Sequence, residues 1–205
     1  QALRTESRTD ALTGVGNRRA LDEALRQLLR FSALPLALIL VDVDHFKEVN
    51  DRFTHEVGDE VLRRVAATLQ LQLRTDDRLL RYGGDEFVVL LPGTGDEEAN
   101  AVAERMRAAV EARPWDELAD GLQVTITTGV AAVWSLTGRR PDADAEGLFR
   151  RADERLLEAK RRRPGGVPPR ARRRAERARL RLRGGRAPRR ANRRRTPRRP
   201  AARAG

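Results

Sequence analysis

The chain has 205 residues, 42 of them Lys or Arg and 30 Asp or Glu, with no cysteine and a formal net charge of +12. Its length fits a single domain of ordinary size with its own core, and the missing thiols exclude a disulfide scaffold and cysteine-ligated zinc or iron–sulfur sites. The charge is unevenly placed: 161–205 carries 20 arginines, no lysine and one acid, Glu176, for +19, which leaves 22 bases against 29 acids, or −7, in 1–160. The basic character belongs to the tail, and the first 160 residues read as a mildly acidic domain.

In chain order, 1–16 is polar and ends in Thr13-Gly14-Val15-Gly16, a turn-like connector. Asn17 can cap a helix whose apolar positions Leu21, Leu25, Leu28 and Leu29 recur at helical spacing. Leu36–Val43 is an apolar, β-rich run that reads as a central strand. Asp44 follows it and is expected to cap a short helix beginning near Phe46. A longer amphipathic helix is expected from near Gly58, with Val61, Leu62, Val65, Ala66 and Leu69 along one side.

Residues 79–91 read as two strands around a Gly83-Gly84 turn, a strong hairpin signal. The pattern then predicts a helix over 96–110, a strand over 124–131, and a last helix over 145–160 with Leu148, Ala152, Leu156 and Ala159 on its apolar side. Helices alternate with strands, but one strand pair is hairpin-linked. A mixed α+β sheet is therefore expected rather than an all-parallel one.

Four acids concentrate the chemistry. Asp42 and Asp44 end the central strand, while Asp85 and Glu86 sit at the hairpin turn. With the hairpin beside that strand, several hard oxygen ligands converge at one end of the sheet, which suits Mg²⁺ or Mn²⁺ together with substrate phosphates. Gly83 and Gly84 leave room for a bulky ligand near the backbone. On spacing alone the stronger reading of the same residues is turn-forming glycines and solvated acids.

The wider set of motifs separates these readings. Arg81-Tyr82-Gly83-Gly84-Asp85-Glu86-Phe87 resembles the signature of GGDEF domains, the diguanylate cyclases that condense two GTP into cyclic di-GMP. Five further stretches are similar to that family in the same order: Asp10-Ala11-Leu12-Thr13-Gly14-Val15-Gly16-Asn17-Arg18-Arg19, Asp42-Val43-Asp44-His45-Phe46-Lys47-Glu48-Val49-Asn50-Asp51, His55-Glu56-Val57-Gly58-Asp59, Val124-Thr125-Ile126-Thr127-Thr128-Gly129-Val130, and the pairs Ala152-Asp153 and Ala159-Lys160. The resemblance covers 10–160. It implies a central, mostly antiparallel five-stranded sheet flanked by helices, similar to nucleotidyl cyclase and polymerase palm domains.

The resemblance also implies roles. Two Mg²⁺ or Mn²⁺ ions per GTP site would be held by Asp42, the Val43 carbonyl and Asp85, with Glu86 helping to activate the attacking hydroxyl. Asn50 and Asp59 would read guanine, His55 would help hold the nucleotide beside Gly83 and Gly84, and Lys47 and Lys160 would contact the triphosphate. Phe46 and Phe53 are expected in the core, and His45 has no assigned role. Each domain of the family holds one GTP, so catalysis requires a homodimer and a lone domain is expected to be nearly inactive. Arg74-Thr75-Asp76-Asp77, with Arg105, resembles the family's product-inhibition site, where arginine pairs with guanine and phosphate of cyclic di-GMP. A catalytically silent module binding GTP or cyclic di-GMP is the alternative, and the intact acids argue against it.

Two departures stand out. Thr54 replaces the family's glycine before His55, which would strain the loop if positive φ is required there. After Ala159-Lys160 the chain reads Arg161-Arg162-Arg163-Pro164-Gly165-Gly166 instead of a closing strand, and an arginine that assists phosphate binding has no counterpart. The tail cannot bury enough apolar surface to offset its ordering entropy, and is expected to be disordered. Two explanations for it stand: a polybasic extension binding nucleic acid or anionic lipid through phosphate contacts, or an out-of-frame translation of GC-rich DNA, which the break inside a motif favours. Domain boundaries of 1–9 (the end of a linker helix), 10–160 and 161–205 follow. The chain starts at Gln1, so a piece of a longer protein with an upstream sensory or receiver module is expected. No signal-peptide pattern is present, and the longest apolar run, 33–41, falls short of the roughly 18–20 residues a bilayer span needs. A cytoplasmic location is expected for this region, with any membrane anchor lying upstream.

Overall fold

A computed structural model of the chain describes residues 7–31, 33–135 and 141–162. Four antiparallel strands form one sheet in the order β2-β3-β1-β4: β1 is Leu36–Val43, β2 Arg78–Gly83, β3 Glu86–Pro92 and β4 Ile126–Val133. The helices are α1 (Arg18–Arg30), α2 (Phe46–Arg52), α3 (His55–Gln70), α4 (Asp96–Glu111) and α5 (Pro141–Arg162), with a short 3₁₀ turn at Trp115–Glu117.

Strand β1 is buried along its whole length because helices cover both faces of the sheet. Its odd-numbered residues Ala37, Ile39, Val41 and Val43 join Phe87, Val89 and residues of α3 and α4 in one core. The even-numbered Leu36, Leu38 and Leu40 join Val88, Leu90, α1 and α5 in the other. The two-residue period of a strand thus divides one continuous apolar run between two cores. Phe46 and Phe53 pack against the first of these, as expected.

Asn17 caps α1 as its sequence suggests, its side-chain oxygen accepting from the Arg19 and Ala20 backbone N–H groups at 3.1 Å each. Three expectations are corrected. The sheet has four strands among the described residues, not five; the four with a β-pattern are present, and the place of a closing strand after Lys160 falls on residues outside the described ones. Asp44 does not cap α2, whose N-cap is His45 in a left-handed turn at φ 54°. Helix α3 starts at His55 rather than near Gly58, and Thr54 caps it from an extended backbone at φ 168°, so the feared strain is absent. Residues 7–9 are not helical, and Thr9 is bridged to Gly16; the linker helix expected to end within 1–9 otherwise falls on 1–6, outside the described residues. Residues 1–6 and the tail from 163 onward lie outside the described residues.

Both sheet edges are covered. Arg151 and Arg155 of α5 donate to the carbonyls of Ala132 and Val130 on β4, at 3.0 and 2.7 Å. At β2, the Arg81 N–H donates to the Gly16 carbonyl at 2.7 Å, tying the N-terminal segment alongside. Among the described residues no helix is long and apolar enough to cross a membrane.

Candidate active site

Antiparallel register builds the site. Asp42, the next even-numbered residue after Leu40, lies directly opposite Glu86 of β3 and Thr127 of β4. Two carboxylates facing each other across a ladder repel and would normally be selected against, so this pair invites a cation. The hairpin turn adds Asp85, whose carbonyl accepts the Val43 N–H at 3.1 Å. Carboxylate oxygens of Asp42, Asp85 and Glu86 come within 4.8 Å of one another. The final turn of α5 delivers Lys160, whose Nζ makes an ion pair with Asp42 Oδ1. Asp42 is almost fully buried and Lys160 about three-quarters so. Three hard oxygen donors at this separation match the needs of Mg²⁺ or Mn²⁺, which take one or two carboxylates and fill the rest of the shell from phosphate and water.

Asp44 is not part of this group. Its carboxylate accepts from the hydroxyls of Thr125 (2.7 Å) and Thr127 (2.5 Å), and its N–H donates to the Thr125 carbonyl at 2.9 Å. It fastens the start of the β1–α2 turn to the β4 side of the sheet.

The signature turn is held from outside by its own flanking residues. Gly84 takes a positive φ of 46°, and a Cβ placed on Gly83 or Gly84 would meet nothing within 4 Å, so the turn opens to space. Arg81 donates through Nε and Nη2 to the Gly84 carbonyl at 3.0 and 2.7 Å, and through Nη1 to Asp10 Oδ1 at 2.9 Å. Burial pushes the Asp10 carboxyl up, but hydrogen bonds from Thr13 and Arg81 outweigh it and hold the group below its ordinary value. Tyr82 receives a hydrogen bond from Arg18 at 3.1 Å, lies 4.5 Å beneath that guanidinium, and stacks on Phe149 of α5. Sequence reasoning gave Arg81, Tyr82, Asp10 and Thr13 no task. The Asp10-x-x-Thr13 spacing, suited to a side-chain-closed turn, was the available signal.

The remaining predicted residues lie on the α2–α3 pair and on the loop after α3. Asn50 of α2 packs on Gly58 of α3: a Cβ at Gly58 would stand 2.0 Å from Asn50 Oδ1. Asp59, the next residue, is exposed, as is His55 at the start of α3. Lys47 is exposed and its ion pair is with Asp51, at 3.5 Å, rather than with the carboxylate cluster. Arg74 pairs with Glu98 at 2.6 Å, Asp77 is buried with its carboxylate accepting the Arg74 N–H at 2.8 Å, and Arg105 donates to the Gln72 carbonyl at 3.4 Å.

Comparison with known proteins decides the family. Residues 7–165 match the family described as diguanylate cyclase, GGDEF domain. The chain belongs to that family. It is 40% identical over 161 residues to diguanylate cyclase DgcP of Pseudomonas aeruginosa, a match covering 77% of this chain and 23% of that protein. It is 42% identical over 158 residues to the response regulator PleD of Caulobacter vibrioides, covering 74% of this chain and 34% of the relative. The chain thus spans about a quarter to a third of these relatives' length. Among solved structures, the GGDEF domain of DgcB from Caulobacter crescentus in complex with c-di-GMP superposes with a TM-score of 0.67 at 28% identity, covering 78% of this chain and 93% of that one. Diguanylate cyclase SiaD from Pseudomonas aeruginosa, solved with its activator SiaC, gives 0.65 at 38% identity, covering 78% and 60%.

Proposed function

We propose that this GGDEF domain is a diguanylate cyclase that joins two GTP molecules into cyclic di-GMP with release of two pyrophosphates. The observation that carries the reading is the meeting of Asp42, Asp85 and Glu86 within 4.8 Å, with Asp42 and Glu86 directly opposed in register. Such a cluster serves little structural purpose and suits a divalent-metal nucleotidyl-transfer site. Asp42, Asp85 and the Val43 carbonyl would hold two Mg²⁺ or Mn²⁺ ions. Bound there, these would offset phosphate charge and lower the pKa of the attacking 3′-hydroxyl.

This chain's own residues supply the rest. Glu86 accepts the proton as the 3′-oxygen of one GTP attacks the α-phosphorus of the other and the bond to pyrophosphate breaks. Lys160, able to reach phosphate from beside Asp42, and Lys47 offset the charge that develops on the phosphates. Asn50 can serve both donor and acceptor groups on the guanine edge, Asp59 accepts from its N–H groups, and His55 helps hold the nucleotide. Gly83 and Gly84 let the nucleotide approach the turn. Each copy binds one GTP, so two copies must face each other, and an upstream module would control that pairing. Arg74, Asp77 and Arg105 form a site where cyclic di-GMP inhibits. The protein acts in the cytoplasm, where GTP is available.

The test is incubation with GTP and Mg²⁺ at protein concentrations that favour pairing, with cyclic di-GMP measured by chromatography. Product is expected from the wild type and none from Asp85→Ala or Glu86→Ala. Activity persisting in either variant refutes the site assignment. GTP binding without product in the wild type favours a silent binding module instead.

A further inference from the structure

The arginine assigned above to product binding is already occupied by an acid of the same chain. Arg74 Nη2 lies 2.6 Å from Glu98 Oε1, and the pair is on the surface, with Arg74 72% and Glu98 46% exposed. Glu98 and Arg105 both belong to α4 and are seven residues apart, two turns and about 10.5 Å along one helix face. That face looks onto the segment following α3, because Arg105 donates to the Gln72 carbonyl at 3.4 Å while Glu98 reaches Arg74. Asp77 adds a second acid, its carboxylate held on the Arg74 backbone N–H. Two guanidinium groups therefore share their surroundings with two carboxylates, and the positive potential that would draw an anion is largely cancelled.

We propose that Glu98 is an internal competitor for Arg74 that sets how tightly this face binds the phosphate and guanine groups of cyclic di-GMP. The inference rests on the inhibitory-site reading and deepens it. A phosphate approaching Arg74 must displace the Glu98 carboxylate or accept a second negative charge beside it. Either cost weakens binding. An alternative arrangement, in which Glu98 holds Arg74 in the orientation the ligand needs, predicts the opposite sign.

The test is calorimetric titration of cyclic di-GMP into the wild type, Arg74→Ala and Glu98→Gln. Glutamine keeps the length and helix propensity of Glu98 and removes the charge. Glu98→Gln is expected to bind about two- to five-fold tighter than wild type, the range set by an exposed ion pair. The gain should shrink as salt rises, since the charges involved are solvent-accessible. Arg74→Ala should lose most of the binding. Unchanged or weaker binding by Glu98→Gln, with Arg74→Ala still impaired, overturns the competitor and leaves the inhibitory site intact. Binding absent from the wild type, or unaffected by Arg74→Ala, overturns the inhibitory-site reading and the inference with it. Thermal melting of each variant separates a folding defect from a binding change.

Discussion

The contact between Asn50 and Gly58 allows the guanine-reading assignment to be tested without altering a residue assigned to it. Gly58 closes the first turn of α3 and is buried against α2. A Cβ added there would sit 2.0 Å from Asn50 Oδ1, 3.0 Å from its Cγ and 3.3 Å from Phe46 Cζ. The worst clash is with the far end of a rotatable side chain, so Gly58→Ala should be accommodated by swinging the Asn50 amide away. Alanine is favoured over glycine in a helix interior by about 1 kcal/mol, and a displaced side chain costs roughly 0.5–1.5 kcal/mol. Stability should therefore change little. Nucleotide binding should not be spared: a guanine edge left without its partners loses about 1–3 kcal/mol, or about 5- to 150-fold in affinity. GTP titration of Gly58→Ala, Asn50→Ala and the double variant gives a cycle. If Asn50 carries the effect, Gly58→Ala adds nothing once Asn50 is gone. Wild-type GTP affinity in a folded Gly58→Ala protein, or full additivity in the double variant, would refute the reasoning.

Three further outcomes follow from packing and from charge. Gly129 of β4 lies under α5, where an added Cβ would stand 2.1 Å from the Ala152 carbonyl oxygen and 2.5 Å from the Leu156 nitrogen. Backbone cannot rotate aside, so Gly129→Ala should cost about 1–3 kcal/mol or more and lower the melting temperature by several degrees; an unchanged melting curve would contradict that close approach. Removing the Arg81 side chain strips donors from both Asp10 and the Gly84 carbonyl, and should cost about 1.5–3 kcal/mol in denaturant titration. The Asp10 carboxyl is held below its ordinary value of 3.8 by Thr13 and Arg81 against the opposing effect of burial. A depressed pKa contributes stability above the unfolded value and loses it as pH falls through the lower folded value. The stability difference between wild type and Asp10→Asn should thus be full above about pH 4 and shrink below it; a difference that stays constant down to pH 2 would argue against the ion pair.

The elements with a strong local signal were readable without coordinates. Continuous apolar character identified β1, the Gly83-Gly84 turn identified the β2–β3 pair, and Asn17 announced α1. Where local signals competed with distant partners, the distant partners won. Asp44 looks like a helix cap in sequence, but the hydroxyls of Thr125 and Thr127, some 80 residues away, take its carboxylate. Thr54 is a different case: it looked like a strained substitution, yet its extended backbone accepts any residue and its hydroxyl caps α3 through the nearby Val57 N–H. The expected fifth strand rested on resemblance, and the arginine-rich sequence after α5 carries no β-pattern to support it.

By itself the sequence determined which residue types could do the chemistry. It also separated an acidic domain from a basic tail, so that the net charge of +12 says little about the folded part. Register and helix docking decided which of those residues meet. Antiparallel pairing sets Asp42 against Glu86, and the packing of α5 over β4 brings Lys160 onto Asp42, while Lys47 pairs one turn along α2 with Asp51. Helix α4 brings Glu98 to Arg74, and the N-terminal segment alongside β2 brings Asp10 to Arg81. The physical reason is that propensity and hydrophobic period act over a few residues. An ion pair between side chains 71 or 118 positions apart exists only once the sheet order and helix faces have placed both ends within reach.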